Sequence, residues 1–482
     1  MALKSLNRMH QTHSDSRTRT RAGHYEMDAC SGPVLGKMLL FALPLMASSV
    51  LQLLFNAADV IVVGKFAGDN ALAAVGSNGS LINLMTNLFL GLSVGVNVLV
   101  SRYYGAEDHR NVAETVHTAV AISLLSGVLL TAAGCFGAVR VLGWMKVPSE
   151  VLPLASIYLR IYFLGMTAMM VYNFGAAILR AVGDTRRPLY YLLCAGIVNV
   201  ILNLFFVAVL HMGVAGVGIA TVISQIISAA MILRCLVLEN GDIHLDPKRI
   251  RISGSKLKRI LKIGVPASIQ SMLFSVSNVI IQSSINSFGA VTVAGSAAAG
   301  NLEGFVYVSM NAFYQAVLTF TGQNAGAGKH ERIDRIMLTG LGCVLVTGLI
   351  LGQGVYRNGH VLLQLYTSSP EVIAQGIRRL TYVCVFYSLC GMNEVVVGVI
   401  RGLGYSMAPM LVSVVGICGF RVIFIFTLFR QIRWHIPESL YVTYPLSWVI
   451  TFAANLIVCL LIRRRMIRGH VNKNMVRLSA EH

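Results

Sequence analysis

Twelve long apolar stretches follow one another between about residue 37 and residue 462 of this 482-residue chain. Each is close to the roughly 20 residues that an α-helix needs to cross the hydrocarbon core of a bilayer. Because backbone polar groups in lipid must pair within the protein, this pattern predicts a bundle of spanning helices. The predicted spans, helices 1–12, cover residues 37–64, 78–102, 116–141, 151–180, 188–210, 214–238, 260–288, 300–325, 335–356, 372–401, 409–430 and 440–462.

Composition leads to the same fold class. Hydrophobic residues make up 55% of the chain and charged residues only 12%. Soluble domains carry roughly a quarter charged residues, so a soluble globular fold is excluded. The sequence therefore predicts an all-α polytopic membrane protein.

The basic residues are unevenly placed along the chain, whose net charge is +19. Most Lys and Arg fall in the termini or in the loops that follow helices 2, 4, 6, 8 and 10. Cytoplasmic loops carry this excess, so both termini are predicted to be cytoplasmic, in a bacterial inner or plasma membrane. The longest basic segment, residues 234–262, is interpreted as contacting membrane lipids rather than nucleic acid.

Residues 1–35 are polar and lack the apolar core of a signal peptide, so they are predicted to form a flexible cytoplasmic tail. The other segments are a first lobe of helices 1–6 (36–238), a cytoplasmic linker (239–259), a second lobe of helices 7–12 (260–462) and a basic cytoplasmic C-terminus (463–482).

Nine cysteines are scattered without metal-like spacing, and no nucleophile–base pair or phosphate loop is evident. We predict no metal, no cofactor, no enzyme activity and a monomeric protein.

The chain contains an internal repeat of about 221 residues. ILRAVGDTRRP at residues 178–188 matches VIRGLGYSMAP at residues 399–409, and GAEDHR from Gly105 matches GAGKHER from Gly326. Each half contains six helices, an even number, so both halves enter the membrane from the same side as parallel repeats. Such repeats are typical of secondary transporters, whose substrate path lies between the halves.

The repeated loop follows the fourth helix of each half and suggests hinge or gate positions. Gly183 and Gly404 permit a tight reversal, and Arg180 and Arg401 end the preceding helices, where the helix dipole favours a cation. Pro44 removes a backbone hydrogen bond in helix 1 and so allows that helix to bend. Simple turn chemistry remains the alternative for the glycines.

The sequence resembles the MATE family, the multidrug and toxic compound extrusion antiporters of the MOP flippase superfamily. The resemblance rests on PLMASSVLQLLFNAADVIVVGKFAG, LRAVGDTRRP, NVILNLFFV and GVAGVGIATVISQ in the first half, and on IGVPASIQSMLFSVSNV and TGQNAGAGKHERI in the second. It implies a V-shaped, two-lobe fold around a central cleft. It also implies exchange of small organic, often cationic, compounds for protons or sodium ions.

Asp59 is the strongest candidate for the coupling site, because an acid inside an apolar span is costly and so suggests a function. Gln52 and Asn56 share its helical face, and this polar stripe is expected to line a cavity. In helix 5, Asn199 and Asn203 also share a face. The resemblance implies that Asp59, this pair and a Thr of helix 6 gather inside the first lobe. That threonine corresponds to Thr221.

The choice of coupling ion depends on Asn203, where many relatives carry a second Asp. With one formal negative charge in the site, tight sodium binding is disfavoured, since sodium prefers charged oxygen ligands. A proton on Asp59 is therefore the preferred coupling ion and sodium the alternative.

The second half lacks this constellation. At the repeat spacing Asp59 corresponds to Ile281, Asn199 to Phe420 and Asn203 to Phe424. A polar network needed only for structure has less reason to occur in one lobe alone.

The second lobe has its own polar candidates, which are predicted to line a substrate cleft. They are Glu303, Glu394, Asn278 and Gln282. Either Glu is placed to attract a cationic substrate, and structural pairing with Arg378, Arg379 or Arg421 is the alternative.

These features predict a cation-coupled antiporter that exports drugs or toxins by alternating access. The alternative is a flippase for lipid-linked precursors from the same superfamily. A receptor or channel without coupled transport is a third reading, and it does not explain the duplicated bundle.

Overall fold

The computed structural model describes residues 25–144, 150–431 and 434–480. They form twelve long helices in the predicted order, with a bend in α4 and α10 and a π-helical turn in α5 and α11, and three short helical turns at Pro247–Arg249, Gly359–Gln364 and Leu428–Arg430. The helices are α1 (Val34–Phe66), α2 (Asp69–Gly105), α3 (His109–Trp144), α4 (Leu152–Leu164 and Met166–Ala181), α5 (Arg186–Asn203 and π turn Leu204–Val209), α6 (Gly213–Leu238), α7 (Gly254–Asn286), α8 (Ala290–Gly326), α9 (His330–Arg357), α10 (Pro370–Val383 and Tyr387–Gly402), α11 (Met407–Ser413, π turn Val414–Gly419, Phe420–Phe426) and α12 (Pro437–Ala480).

Eleven of these twelve are long and apolar enough to cross a membrane, if each 45° bent pair, α4 and α10, counts as one span. The remaining helix, α8, has 37 residues and buries an unusual number of polar side chains, including Glu303. Among the described residues the predicted all-α polytopic fold is confirmed.

Several helices extend beyond the predicted apolar spans. α2 begins at Asp69, α8 at Ala290 and α7 at Gly254, and α12 continues to Ala480. An apolar window locates only the part of a helix that crosses lipid, whereas backbone hydrogen bonding continues through polar residues. Of the predicted flexible tail, residues 26–32 are hydrogen bonded to the bundle, and residues 1–24 lie outside the described part of the chain.

The two lobes exchange parts of their first helices. The C-terminal end of α1, at Val62 and Val63, packs into the core of α2–α6. The first half of α1, at Phe41 and Leu45, packs instead among α8, α9, α10 and α12. Pro44 lies within this first half, and the two ends of α1 belong to the cores of different lobes.

α7 crosses between the lobes in the equivalent way. Its early residue Ile260 joins the core of the first lobe, whereas Ile281 and Ile285 join an apolar cluster of the second. α7 runs against α2 in backbone contact, because a side chain at Gly91 would lie 2.4 Å from the backbone nitrogen of Ser268.

One end of the bundle, here called the basal face, contains the start of α1 at Val34, the ends of α2 and α8, and the turns at Gly183 and Gly404. At this face α2 and α8 also touch, since a Cβ on Gly326 would lie 1.9 Å from the carbonyl oxygen of Arg102. The lobes are therefore closed against each other at the basal face.

Candidate cation-coupling site

Asp59 of α1 meets Asn203 of α5 inside the first lobe. The side-chain amide of Asn203 donates a hydrogen bond to Asp59 Oδ1 and lies 3.3 Å from Asn199 Oδ1, one helical turn earlier. Both asparagines are buried and Asp59 is half-buried. The structure thus joins the three residues that the sequence placed on two separate helical faces.

Close packing of α1 on α5 makes this contact possible. A Cβ on Gly196 would lie 1.9 Å from the ring of Phe55, so only glycine leaves room for that ring. Gly196 is nearly one turn before Asn199, and Phe55 is one turn before Asp59, so the contact sets the register of the two helices. Directly after Asn203, α5 changes to the π-helical turn, a feature frequently found at functional sites.

The site has the chemistry of a cation acceptor. Asp59 has an amide donor but no ion-pair partner among the described residues. The oxygen Asn203 Oδ1 is buried without a hydrogen-bond partner in the described chain. One carboxylate and two amide oxygens can hold a proton on Asp59 or surround a small cation. Tyr158 and Tyr162 of α4 lie within electrostatic range of Asp59 and were not singled out from the sequence.

The other predicted members of the site do not contact Asp59. Thr221 donates to the carbonyl of Val217 in its own helix at 2.9 Å. Gln52 and Asn56 are exposed and make no hydrogen bond within the described residues. They continue the polar stripe of α1 beyond Asp59, but they are not part of the hydrogen-bonded cluster.

The equivalent position in the second lobe is apolar. Ile281 and Phe424, which correspond to Asp59 and Asn203, belong to one buried hydrophobic cluster that also contains Leu440 and Tyr441. Next to it, Gln282 donates to Asn286 at 3.0 Å, and Asn278 is exposed. Neither lies in a cluster comparable with that around Asp59.

Glu303 forms a buried ion pair with Arg379, the structural alternative considered from the sequence. The guanidinium donates to both carboxylate oxygens at 2.7 and 2.8 Å, and its third nitrogen donates to Ser296 at 2.7 Å. Because this pair is internally neutral and fully hydrogen bonded, Glu303 is occupied as a structural group. The prediction that Glu303 attracts substrate is therefore not supported by its geometry.

Glu394 is different, since it is half-buried and makes no hydrogen bond within the described chain. It lies within electrostatic range of Arg401, which itself donates to Tyr314 and Gln270, both at 2.8 Å. Glu394 thus remains an acid available to a ligand in the second lobe. The sequence had no means of distinguishing it from Glu303, because both lie in apolar spans.

The repeated loops have the predicted turn geometry. Gly183 and Gly404 have φ of 93° and 88°, the left-handed conformation that favours glycine. In both turns the next residue closes the helix end with a hydrogen bond five residues back, from Asp184 to Leu179 and from Tyr405 to Ile400. Arg401 is anchored through its two terminal nitrogens as described, and the Nε atoms of both Arg180 and Arg401 have no hydrogen-bond partner among the described residues.

The charged residues that occur only in the first copy form a local network. Asp184 is buried and accepts the backbone N–H groups of Arg186 and Arg187 at 3.0 and 3.1 Å. The guanidinium of Arg187 contacts both Asp184 and Glu239 and so ties the turn to the end of α6. Among the described residues, no group of three or more His, Cys, Asp or Glu side chains could hold a metal ion.

Comparison with known proteins decides the family. The family model MatE matches the chain twice, at residues 44–205 and 266–427, which together are more than half of its length and reproduce the internal repeat. The chain belongs to the MATE family. MATE proteins are membrane transporters, so this chain is a transporter and not an enzyme.

Individual relatives agree with this assignment. The probable multidrug resistance protein YpnP of Bacillus subtilis is 29% identical over 388 residues, covering 80% of this chain and 87% of that protein. The probable multidrug resistance protein YoeA of the same organism is 27% identical over 421 residues, covering 86% and 91%. A solved outward-facing multidrug resistance MATE transporter superposes with a TM-score of 0.85 at 21% identity, over 91% of this chain and 98% of that one. This MATE chain therefore has the two-lobe family fold.

Proposed function

We propose that this MATE transporter exports organic, cationic or amphipathic compounds in exchange for protons, with Asp59 as the proton-binding group. Asp59 is the basis of the proposal because it is a half-buried acid within a span, with an amide donor and no counter-charge among the described residues. The two Bacillus subtilis relatives named above are described as probable multidrug resistance proteins, which supports drug-like substrates.

The proposed cycle follows from the asymmetry of the site. With the basal face towards the cytoplasm, a proton from outside reaches Asp59 and removes its charge. The neutral carboxyl no longer favours the same contact with Asn203, so the outer part of α1 moves relative to α5, with Pro44 as the flexible point. Ion and substrate affinities are then reciprocally linked.

The driving force is sufficient for export. For a neutral substrate, one proton that crosses 100 mV contributes about 2.3 kcal/mol, roughly a fifty-fold substrate gradient at one-to-one exchange. One-to-one exchange with a monovalent cation is electroneutral, so the pH gradient then supplies the driving force, about 1.4 kcal/mol or roughly tenfold for each pH unit. The proposed location is the bacterial inner membrane, with both termini in the cytoplasm, as the basic loops suggest.

The test is flux of ethidium, an amphipathic cation, through proteoliposomes under an imposed pH gradient or sodium gradient. A pH gradient is expected to drive exchange in the native chain and to give no stimulation in Asp59→Asn. Glu371→Gln, which removes an exposed acid at the start of α10, is the matched control and should behave as the native chain. Native rates in Asp59→Asn would refute the assignment of the coupling site, and stimulation by sodium alone would replace the proton with sodium.

A further inference from the structure

The basal closure between the lobes is almost symmetric. Thr319 of α8 donates a hydrogen bond to Asn97 of α2 across the lobe boundary at 3.1 Å. Arg102 of α2 and Gln323 of α8 occupy equivalent positions in the repeat, and each reaches a carbonyl at the end of the bent helix in the opposite lobe. Arg102 donates to Leu403 at 3.3 Å, and Gln323 donates to Ala181 at 2.8 Å.

The symmetry fails at one acceptor. The counterpart of the Leu403 carbonyl is the carbonyl of Val182, yet Gln323 bonds the residue before it. The Val182 carbonyl is instead bonded at 3.0 Å by the backbone N–H of Met27, from the segment that precedes α1. A side chain at Gly183 would lie 2.6 Å from Met27, whereas one at Gly404 would lie 2.4 Å from Arg102. Met27 therefore occupies the place that Arg102 takes in the other lobe.

We propose that residues 26–32, here called the strap, form part of the basal gate and replace the contact that the shorter Gln323 does not make. The proposal rests on the alternating access proposed above, and it assigns to the strap the role of stabilising the state with a closed basal face.

The strap binds the first lobe by its beginning and the second lobe by its end. On the first lobe, Met27 bonds Val182, and Tyr104 donates to the Glu26 carboxylate at 3.0 Å. On the second lobe, Gln323 and Asn324 bond the backbone of Ala29, which is 1% exposed.

Arg332 of α9 fastens the second-lobe end. All three of its hydrogen bonds go to strap carbonyls, at 3.1 Å to Ala29 and 2.6 Å to both Ser31 and Gly32. Lys329 adds a bond to the carbonyl of Cys30 at 3.0 Å. The strap is thus held by charged donors on this side.

The strap also has an internal cap. The carboxylate of Asp28 accepts bonds from the Ser31 hydroxyl and the Cys30 backbone. Burial raises the pKa of Asp28, but these hydrogen bonds and the nearby Lys37 outweigh burial and hold that pKa below its usual value. Asp28 is therefore ionised at neutral pH and keeps the strap in its turn.

The packing of α1 indicates which contacts break when the basal face opens. The strap continues directly into the first half of α1, whose residues Met38, Phe41 and Leu45 pack in the core of the second lobe. The strap therefore moves with the second lobe, and the contacts of Met27 with Val182 and of Glu26 with Tyr104 must be released in each cycle.

Spin labels can follow this opening without substrate or coupling ion. Arg186→Cys and Met407→Cys place labels at equivalent exposed positions of the two basal turns. The background replaces the more accessible cysteines with serine, namely Cys30, Cys135, Cys194, Cys343 and Cys390. Pulsed electron paramagnetic resonance then measures the distance between the labels in lipid nanodiscs.

With the native strap we expect a predominantly short distance. Arg332→Ala should increase the ratio of long to short distances roughly tenfold, as expected for loss of charge-assisted hydrogen bonds. Tyr104→Phe, a milder change that removes only the bond to Glu26, should increase it about threefold by the same reasoning. Arg335→Ala changes an exposed arginine one turn along α9 and should have no effect. Distributions in both strap variants identical to this control would overturn the proposal.

A cross-link tests which end is released. In the serine background without the label cysteines, a short bismaleimide between Glu26→Cys and Tyr104→Cys should slow ethidium exchange at least tenfold. One between Cys30, restored for this variant, and Lys329→Cys should leave exchange within twofold of the unlinked protein. Exchange that persists with the first link would contradict the strap assignment. Because the spin-label distances need no coupling ion, failure of the Asp59 proposal would leave that test interpretable.

Discussion

Asp59 and Ile281 occupy equivalent positions in the two halves of this transporter, but only the first is polar. Asp59 meets Asn203, whereas Ile281 packs with Phe424 in an apolar cluster. The converse holds elsewhere in the repeat. Glu303 and Arg379 form the buried ion pair of the second lobe, and their equivalents in the first lobe, Ile82 and Tyr158, belong to a hydrophobic core. An acid in one lobe therefore corresponds to an apolar residue in the other, both at Asp59 of the first lobe and at Glu303 of the second.

The two acids differ in what surrounds them. Glu303 has a guanidinium bound to both oxygens, so its charge is compensated within the protein. Asp59 has only an amide donor, so its charge is compensated only when a proton or another cation arrives. The difference is the reason for proposing a structural role for the first acid and a coupling role for the second.

Among variants that remove one of these differences between the lobes, Glu303→Gln is expected to have the largest effect on the protein. It leaves Arg379 buried and uncompensated, and breaking a buried pair destabilises a protein by about 3–5 kcal/mol. We expect a clear fall in the thermal unfolding temperature in detergent and no change in which ion drives exchange in the molecules that remain folded. Glu371→Gln is the control, and an unchanged unfolding temperature in Glu303→Gln would contradict the structural role.

Ile281→Asp transplants the acid of the first lobe into the second. Without a polar neighbour the carboxyl faces Phe424, and an Asp at a helix centre in the membrane costs on the order of 3 kcal/mol. The unfolding temperature should fall in this variant and recover in part in the double variant Ile281→Asp with Phe424→Asn. Equal unfolding temperatures in the native and single variants would show that the apolar cluster tolerates the charge.

Asn203→Asp tests whether a second carboxylate in the first-lobe site changes the coupling ion. A second carboxylate next to Asp59 supplies the charged oxygen ligands that sodium prefers. We expect a sodium gradient to stimulate ethidium exchange several-fold in this variant and not in the native chain. If no sodium dependence appears, the reason for preferring protons in the native chain is removed.

The smallest effect is expected from Thr221→Val. The Thr221 hydroxyl bonds its own helix at Val217, and such back-bonding contributes little to helix stability. Proton-driven exchange and the unfolding temperature should both stay close to native values, the latter within about 0.5 kcal/mol of equivalent stability. A loss of coupling in this variant would place Thr221 in the site after all.

Much of the candidate site could be predicted from sequence because its parts are local. Asn199 and Asn203 are one turn apart, and the polar stripe of α1 ends at Asp59, so helical periodicity alone places them on two faces. The contact between these two faces depends on the packing of Phe55 against Gly196, two residues that carry no polar signal in the sequence. Whether the Thr221 hydroxyl bonds within the site or back to its own helix depends on its side-chain rotamer, which helical periodicity does not determine.

The sequence by itself determined the twelve helices, the duplication and the places of the intramembrane acids Asp59, Glu303 and Glu394, since apolar length, repeat spacing and rare intramembrane charge are all visible along the chain. Only the tertiary structure decided that Glu303 is paired, because its partner Arg379 is 76 residues away. It also decided that the two parts of α1 pack in different lobes and that residues 26–32 contact both lobes at the basal face. These outcomes depend on long-range packing and hydrogen bonds, which form only when the two lobes meet.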